Sequence, residues 1–328
     1  MLLHKHHLLN AKNLLAFSAG VDSTALLFLL LENNIQFDIA IVNYGIRTQA
    51  EEEVLYSQEL ASKYNFKCHI LNANTIENNF EANARKIRYD FFESLSLEHQ
   101  YENLLTAHHL GDRFEWMLMQ FCKGAGCAEL SGMSSLDKRQ HYTLVRPLLH
   151  LDKQELLVYL DDKNIKYFID QSNSDEKYKR NEFRQNYAKP LLKKYLSGIK
   201  KSFEYIDNDV SELIQEVEVK TVNNFTYFYR TTTKRSDVFT IDKYMKSIGQ
   251  LITANEKKLL KSEKVVVLGR KFIVSQKKNY IFIAPYITDT KMSKEFKEKM
   301  RKLGVEPKLR AYLSTDEEAV MLLSLLLQ

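Results

Sequence analysis

One stretch near the N-terminus restricts the fold more than any other. The apolar run Leu14-Leu15-Ala16-Phe17 is followed by Ser18-Ala19-Gly20-Val21-Asp22-Ser23 and then by Thr24-Ala25-Leu26-Leu27-Phe28-Leu29-Leu30. The first run reads as a short buried strand and the last as a helix, so the residues between them form a tight loop. The first N–H groups of a helix have no intrahelical partner, and that end of the helix dipole is positive. Strand, small-residue loop and helix N-terminus in this order make a phosphate site. Ser18 and Ser23 add hydroxyl donors, and Gly20 lets the backbone approach an anion. Asp22 would repel phosphate unless a cation stands between them. The loop therefore implies a nucleotide with Mg²⁺ beside Asp22. A plain strand-to-helix turn with an Asp or Ser cap gives the same six residues. The Gly-Lys-Ser/Thr ending of a Walker loop is absent.

The rest of the first half repeats the alternation. Residues 37–44, 66–71 and 104–108 read as strands; residues 80–97 and 111–121 read as helices. Strands separated by helices of ten or more residues make βαβ units and a parallel sheet with flanking helices, an α/β fold of Rossmann-like type. Ligands of such sheets sit beyond the carboxyl ends of the strands. Ser18, Tyr44 and His108 all fall at such ends. Residues 123–136 are rich in Gly and Ser and read as a mobile loop. Residues 165–169 read as a short extended piece, the stretch from Arg180 as a helix, and residues 200–219 as a long helix. From Asn223 the texture changes to short strands at 225–230, 265–268, 272–275 and 280–284, with hairpin turns at Gly269-Arg270 and Lys277-Lys278-Asn279. The expected domains are 1–200, a helical linker 201–222, and a smaller α+β domain 223–328. The apolar end, residues 321–327, reads as packed core or a subunit contact, which leaves a homodimer open.

Charge is distributed unevenly. Residues 201–328 carry 23 Lys and Arg against 17 Asp and Glu, whereas residues 1–200 carry 24 against 25. The positive excess favours a polyanionic partner held partly by the C-terminal part, although a solvated Lys-rich surface has the same composition. Cys68, Cys122 and Cys127 form no C-x-x-C pair, and the N-terminus lacks a signal-peptide pattern, which together point to a reducing cytoplasmic setting. The longest apolar run, residues 25–31, is too short for a membrane span.

Four further segments carry candidate chemistry. In Asn43-Tyr44-Gly45-Ile46-Arg47, a strand-end aromatic could cover an adenine; a plain turn is the alternative. Arg85 and Arg88 lie three apart on one helical face, with Tyr89 four from Arg85. Two guanidiniums on a stripe suit phosphate, and so does a merely solvated face. In His108-His109-Leu110-Gly111-Asp112-Arg113-Phe114-Glu115-Trp116, Asp112 and Glu115 share a face in the first helical turn, where they could hold a metal or an amine, or simply complement the dipole. Trp116, the only Trp, reads as core. The last segment joins Arg146-Pro147-Leu148-Leu149, Asp170-Gln171-Ser172-Asn173 and the pair Arg180 and Arg184, four apart, which can grip phosphate oxygens.

Taken in order, SAGVDS, VNYGIR, NFEANARKIRYD, TAHHLGDRFEW, KGAG, RPLL, IDQSN and YKRNEFR resemble the tRNA(Ile)-lysidine synthetases of the ATP-pyrophosphatase (PP-loop) superfamily. The resemblance covers roughly residues 12–196, and the C-terminal module matches only in placement. The chain departs from the family pattern at Ala19 (Gly), Tyr44 (His), Gly111 (Asp), Arg113 (Gln) and Trp116 (Thr). The resemblance implies an adenine-nucleotide α-hydrolase-like fold and a ligase that uses ATP, with Mg²⁺, to join L-lysine to C2 of the wobble cytidine of a CAU-anticodon tRNA(Ile), by way of an adenylated base. It implies nucleotide binding by Ser18, Ala19, Gly20, Val21, Asp22 and Ser23, and a metal at Asp22. Catalysis would fall to Asp22, Arg88, His108, Asp112 and Glu115, and tRNA binding to Arg85, Arg180 and Arg184. A tRNA thiolase of the same superfamily is the rival enzyme, disfavoured by the lack of a C-x-x-C pair. A non-catalytic tRNA-binding homologue is the rival outside enzymes, disfavoured by the retained Asp22, Asp112 and Glu115.

Overall fold

The apolar runs of the first half assemble into one sheet because alternate residues face opposite ways along each strand. Leu15, Ile39, Leu105 and Val145 enter one core, whereas Leu14, Ala40, Leu104 and Leu144 enter the other. The computed structural model, described for residues 1–45, 48–73, 76, 78–169 and 179–327, divides into two units, Met1–Asp207 and Asn208–Gln328. In chain order the first unit holds α1 (Lys5–Leu9), β1 (Asn13–Ala16), α2 (Val21–Glu32), β2 (Phe37–Asn43), α3 (Thr48–Tyr64), β3 (Cys68–Asn72), α4 (Phe80–His99), β4 (Asn103–Leu105), α5 (Leu110–Phe121), α6 (Cys127–Leu130), β5 (Leu136–Lys138), β6 (Thr143–Val145), α7 (Lys153–Asp162), α8 (Lys179–Glu182), a π-helical segment (Phe183–Ala188) and α9 (Lys189–Leu213), which crosses the boundary.

The strand order is β3-β2-β1-β4-β6-β5, parallel throughout except for antiparallel β5. The expected α/β class with a parallel sheet is observed. Three local differences matter for the site. Strand β4 stops at Leu105, so Thr106 to His109 run beyond it as an extended lead into α5. The Gly/Ser-rich stretch contains α6 and leads into β5. The helix from Arg180 contains a π-helical segment, and one run continues to Leu213 with a non-helical residue at Tyr195 (φ −129°, ψ 26°). Residues Ile46, Arg47 and 170–173, parts of the expected constellations, lie outside the described residues.

The second unit continues with β7 (Lys220–Val222), β8 (Phe225–Tyr229), α10 (Lys234–Ser247), α11 (Ala254–Ser262), β9 (Val265–Leu268), β10 (Phe272–Lys277), β11 (Tyr280–Pro285), α12 (Lys294–Lys302), α13 (Pro307–Leu313) and α14 (Glu317–Leu327). Its sheet, ordered β7-β8-β11-β10-β9, is antiparallel. The hairpin turns fall where Gly269, Arg270 and Lys278 take positive φ. One face packs Phe225, Ile273 and Phe282 against Met300, Leu313 and Leu323; the other packs Phe228 and Ile281 against Ile241, Met245 and Leu260. Along α14, Leu323 and Leu327 are buried while Met321 and Leu325 stay exposed. Among the described residues, no helix is long and apolar enough to cross a membrane.

At the amino ends of β1 and β4 a buried amide pair fixes strand register. Asn13 pairs with Asn103 in the ladder. The Asn13 side chain donates to the carbonyls of Leu8, Ala11 and Gln36 and accepts from Asn103 at 2.9 Å. Asn103 in turn bonds His7 at 2.9 Å. Buried polar groups stripped of partners cost about 1–3 kcal/mol each. Asn13→Ala is therefore expected to lower the stability of the first unit by about 3 kcal/mol. Urea unfolding measures it, and a midpoint unchanged from the parent would show the network to be dispensable.

Candidate functional site

The phosphate loop is built from local chemistry first. β1 ends at Ala16, and the chain turns through Ala19 with φ +54°, a left-handed conformation that suits Gly better than Ala. Gly20 then caps α2 with no side-chain bond, so the amides at the start of α2 keep their capacity for an anion. The Ser18 amide donates to Ser23 Oγ at 3.3 Å, the two hydroxyls lie 3.1 Å apart, and Ser23 Oγ donates to the Gly20 carbonyl at 3.2 Å. The extended piece expected at 165–169 braces the loop, with the Phe168 amide donating to the Ala19 carbonyl at 2.9 Å. Ser18, Ala19, Gly20, Val21, Asp22 and Ser23 thus form one preorganised turn.

Asp22 faces a second group of residues. Its Oδ1 is buried and has no hydrogen-bond partner among the described residues, while Oδ2 lies 3.7 Å from Lys153 Nζ and 3.9 Å from His109 Nε2. An orphaned carboxylate oxygen in a phosphate loop fits a divalent cation. Mg²⁺ commonly takes one or two carboxylates and completes its shell with waters and phosphate oxygens. Among the described residues no cluster of three or more His, Cys, Asp or Glu could hold a metal ion.

His109 links the loop to α5. Its Nδ1 accepts from the Gly111 amide at 3.0 Å, and its own amide donates to Asp112 Oδ2 at 3.1 Å, a reciprocal cap of the helix. Its Nε2 also lies 3.6 Å from Asp112 Oδ2. The ring lies over residue 111: a Cβ there would sit 2.6 Å from His109 Cε1, so Gly111 is required by this arrangement. His108 points elsewhere, its Nδ1 2.9 Å from Thr106 Oγ1. Burial pushes His108 down to about 4, against the raising charge of Asp112 and with help from Arg146, Arg180 and Arg85.

One turn along α5, the two acids meet two arginines. Arg180 donates to Asp112 Oδ1 at 2.9 Å and to Glu115 Oε2 at 3.3 Å. Arg184 donates to Glu115 Oε1 at 2.7 Å and Oε2 at 3.1 Å. Burial raises Asp112, but the charges of His109, His108 and Arg180 and the His109 amide outweigh it and hold this carboxyl well below the usual range. Burial lowers Arg184, but its bonds and charges from Glu115, Asp112 and Asp22 reverse the sign. The arginines expected at phosphate oxygens are here bound to carboxylates.

The other expected residues divide. Arg85 and Arg88 are exposed on α4; the Arg85 guanidinium lies 4.7 Å from the Tyr89 ring centre, the i, i+4 contact read from the sequence. Tyr44 is tied to α4 by a bond to the Ala84 carbonyl at 3.0 Å and an edge contact with Phe80. Arg146 is buried and donates to the Ser134 carbonyl. Trp116 is not core: it is 45% exposed, because the inward face of α5 is taken by Leu110, Phe114, Met117 and Leu118. Sequence reasoning missed Lys153, which stands at the start of α7 behind its Asp152 cap and reaches Asp22 only because α7 lies beside α2. It also missed Asp207, which forms a two-pronged ion pair with Arg113 while the guanidinium stacks on Phe203. No short-range signal marks either one.

A family model for the PP-loop domain matches residues 3–191. The tRNA(Ile)-lysidine synthase of Helicobacter pylori (strain ATCC 700392 / 26695) is 42% identical over 312 residues, 94% of this chain and 91% of that protein. That of Campylobacter jejuni (strain RM1221) is 42% identical, covering 92% of each chain, and that of Wolinella succinogenes is 41% identical, covering 95% of each. Among solved structures, the U34-tRNA thiolase NcsA of Methanococcus maripaludis has a TM-score of 0.51 at 19% identity, covering 65% of this chain and 76% of that one, a likeness of fold alone.

Two outcomes follow from the geometry. Ala19→Gly exchanges a buried methyl, worth about 0.8 kcal/mol, for relief of left-handed strain of about 1 kcal/mol. It should leave stability within about 1 kcal/mol of the parent and ATP affinity undiminished; a tenfold loss of ATP binding would show that the methyl shapes the loop. His108, with its folded pKa pushed below 6.5 to about 4, contributes stability that is complete above pH 6.5 and is lost as pH falls toward 4. NMR of the imidazole should show it neutral down to about pH 5; a midpoint near 6.5 would place the ring in solvent instead.

Proposed function

This chain belongs to the tRNA(Ile)-lysidine synthase family, and from that membership we propose how its residues divide the work. It is a carbon–nitrogen ligase that uses ATP and acts on tRNA(Ile). The observation that carries the residue assignment is the position of His109 Nε2, within 4 Å of both Asp22 and Asp112. It brings the phosphate loop and the carboxylate pair next to each other, which supports one shared site beyond the strand ends, where ligands of such sheets bind.

The substrates are ATP, L-lysine and the wobble cytidine of a CAU-anticodon tRNA. The C2 oxygen of the cytosine attacks the α-phosphorus, the bond to the β-phosphate side breaks, and pyrophosphate leaves. The lysine ε-amine, its ammonium proton given up to the Asp112–Glu115 pair, then attacks C2; AMP departs with the former C2 oxygen, and the nitrogen, now bonded to C2, passes one further proton to solvent and keeps one. Charge develops on the α-phosphate and on the pyrophosphate, and the Ser18–Ser23 loop with the α2 N-terminus stabilises both. Mg²⁺ at Asp22 would supply further charge neutralisation on the phosphate oxygens. Lys153 adds a cation on the same side.

Asp112 and Glu115 bind the ammonium groups of lysine in place of the guanidinium contacts they make here. Asp112, held well below the usual carboxylate range, is a durable anion for an ammonium and a weak base toward it. His108, neutral by burial and bonded through Nδ1 to Thr106, is the proposed contact to the nucleotide, with Arg85 and Arg88 supplying positive charge from α4. Arg180 and Arg184 engage substrate phosphate once released from the acids. The target base is splayed from the anticodon loop into the crevice. The positive excess beyond residue 200 supports tRNA contact by the second unit through counterion release. The paired exposures of Met321 and Leu325 on α14 support a homodimer contact, and the thiol-only cysteines support a cytoplasmic setting.

The reaction test is release of AMP that requires both lysine and tRNA(Ile) with a CAU anticodon. Asp22→Ala should keep the fold and cut turnover by about 10² or more, the effect of losing a preorganised electrostatic group. Turnover within threefold of the parent would remove Asp22 from the mechanism, and AMP release without lysine would remove the ligation.

A further inference from the structure

The single tryptophan of this chain stands where the fold has no need of it. A lone exposed apolar side chain is ordinary and asks for no explanation. Trp116 has three further properties. It lies four residues from Asp112 on α5, hence on the same helical face and about 6 Å farther along the axis. It belongs to none of the hydrophobic clusters of the described residues, although Phe114 and Met117 on either side do. Its ring is nevertheless held. The backbone at Gly132, with φ +73°, comes so near that a Cβ there would meet indole Cδ1 at 3.1 Å. Any other residue at 132 would be strained by its φ and crowded by the ring. One edge of the indole therefore lies against the Gly132 backbone, and the residue as a whole is 45% exposed.

A half-exposed indole one helical turn from Asp112 offers a surface for stacking. Every base has a π-face, and unstacked single-stranded bases are commonly held on aromatic side chains. When one base is drawn out of the anticodon loop into the crevice, its neighbour loses its own stacking partner. We propose that the open face of Trp116 stacks an unpaired anticodon-loop base next to the one being modified. The proposal rests on the tRNA reading above. Trp116 is a substrate-binding residue, and Gly132 positions it.

The chain contains one Trp, so its fluorescence reports this side chain alone. Titrating the full-length protein with a stem–loop RNA carrying a CAU anticodon should quench the emission, saturating at the concentration found by filter binding. The same stem–loop with abasic sites beside the wobble position should bind more weakly and leave the emission unchanged. Trp116→Ala should raise KM for tRNA about tenfold or more, with kcat falling less than KM rises and KM for ATP unaffected. Trp116→Tyr should restore most of the loss. Stem–loop binding without any change of emission overturns the proposal, and so does a tRNA KM within twofold of the parent in Trp116→Ala. Lysine-dependent AMP release by the parent protein is measured alongside. If it is absent while the emission is quenched, the ligase reading falls and the stacking platform stands.

Discussion

The site depends on the reciprocal cap between His109 and Asp112. A helix start leaves amides without partners, and here the imidazole and the carboxylate satisfy them in exchange. The same two bonds fix where each side chain can point. The ring of His109 is turned so that Nδ1 faces the helix and Nε2 faces Asp22, and Asp112 keeps Oδ1 free for Arg180. Strand β4 stops early, and the extended lead from Thr106 to His109 carries the chain from the sheet to this cap. Shifting that lead by one residue would reverse every side chain on it.

The charge cluster beyond the cap follows from burial. Glu115 is 3% exposed and the Asp112 side chain 14% exposed, and charge buried to this degree calls for paired cations. Arg184 supplies one as a bidentate partner of Glu115, and Arg180 supplies the other by bridging Asp112 and Glu115. Removing one partner from such a buried pair costs about 3–5 kcal/mol because the other charge is stranded. On the proposed reading an ammonium takes the place of a guanidinium here, whereas a neutral group would leave the acids unpaired. The acids sit on α5, anchored in the core through Leu110 and Phe114, while the arginines come from α8 and the π-helical segment.

Four of the five departures from the family pattern have a local physical setting. Ala19 takes a positive φ, Gly111 makes room for the His109 ring, and Tyr44 bonds the Ala84 carbonyl. Arg113 is buried, where its charge is met by Asp207 and the Ser131 carbonyl and its face by Phe203. That pairing ties α5 to α9 within the first unit. The departures are therefore consistent with an intact phosphate loop and an intact carboxylate pair.

By itself the sequence determined the parallel sheet, the phosphate loop, the acid pair on α5 and the Arg85–Tyr89 contact. All of these rest on spacings of two to four residues, and local backbone geometry turns such spacings directly into shared faces. The hairpins of the second unit were legible for the same reason. What only the tertiary structure decided lies at long separations. Lys153 reaches Asp22 across 131 positions, Arg180 and Arg184 reach α5 across more than sixty, and Asp207 reaches Arg113 across 94. Periodicity carries no information about which distant charges will meet. It also could not place Trp116, because an apolar residue between a buried Glu and a buried face looks like core until the helix is docked. The docking of α5 by Leu110, Phe114 and Met117 then set its rotation, and that rotation left the indole outside.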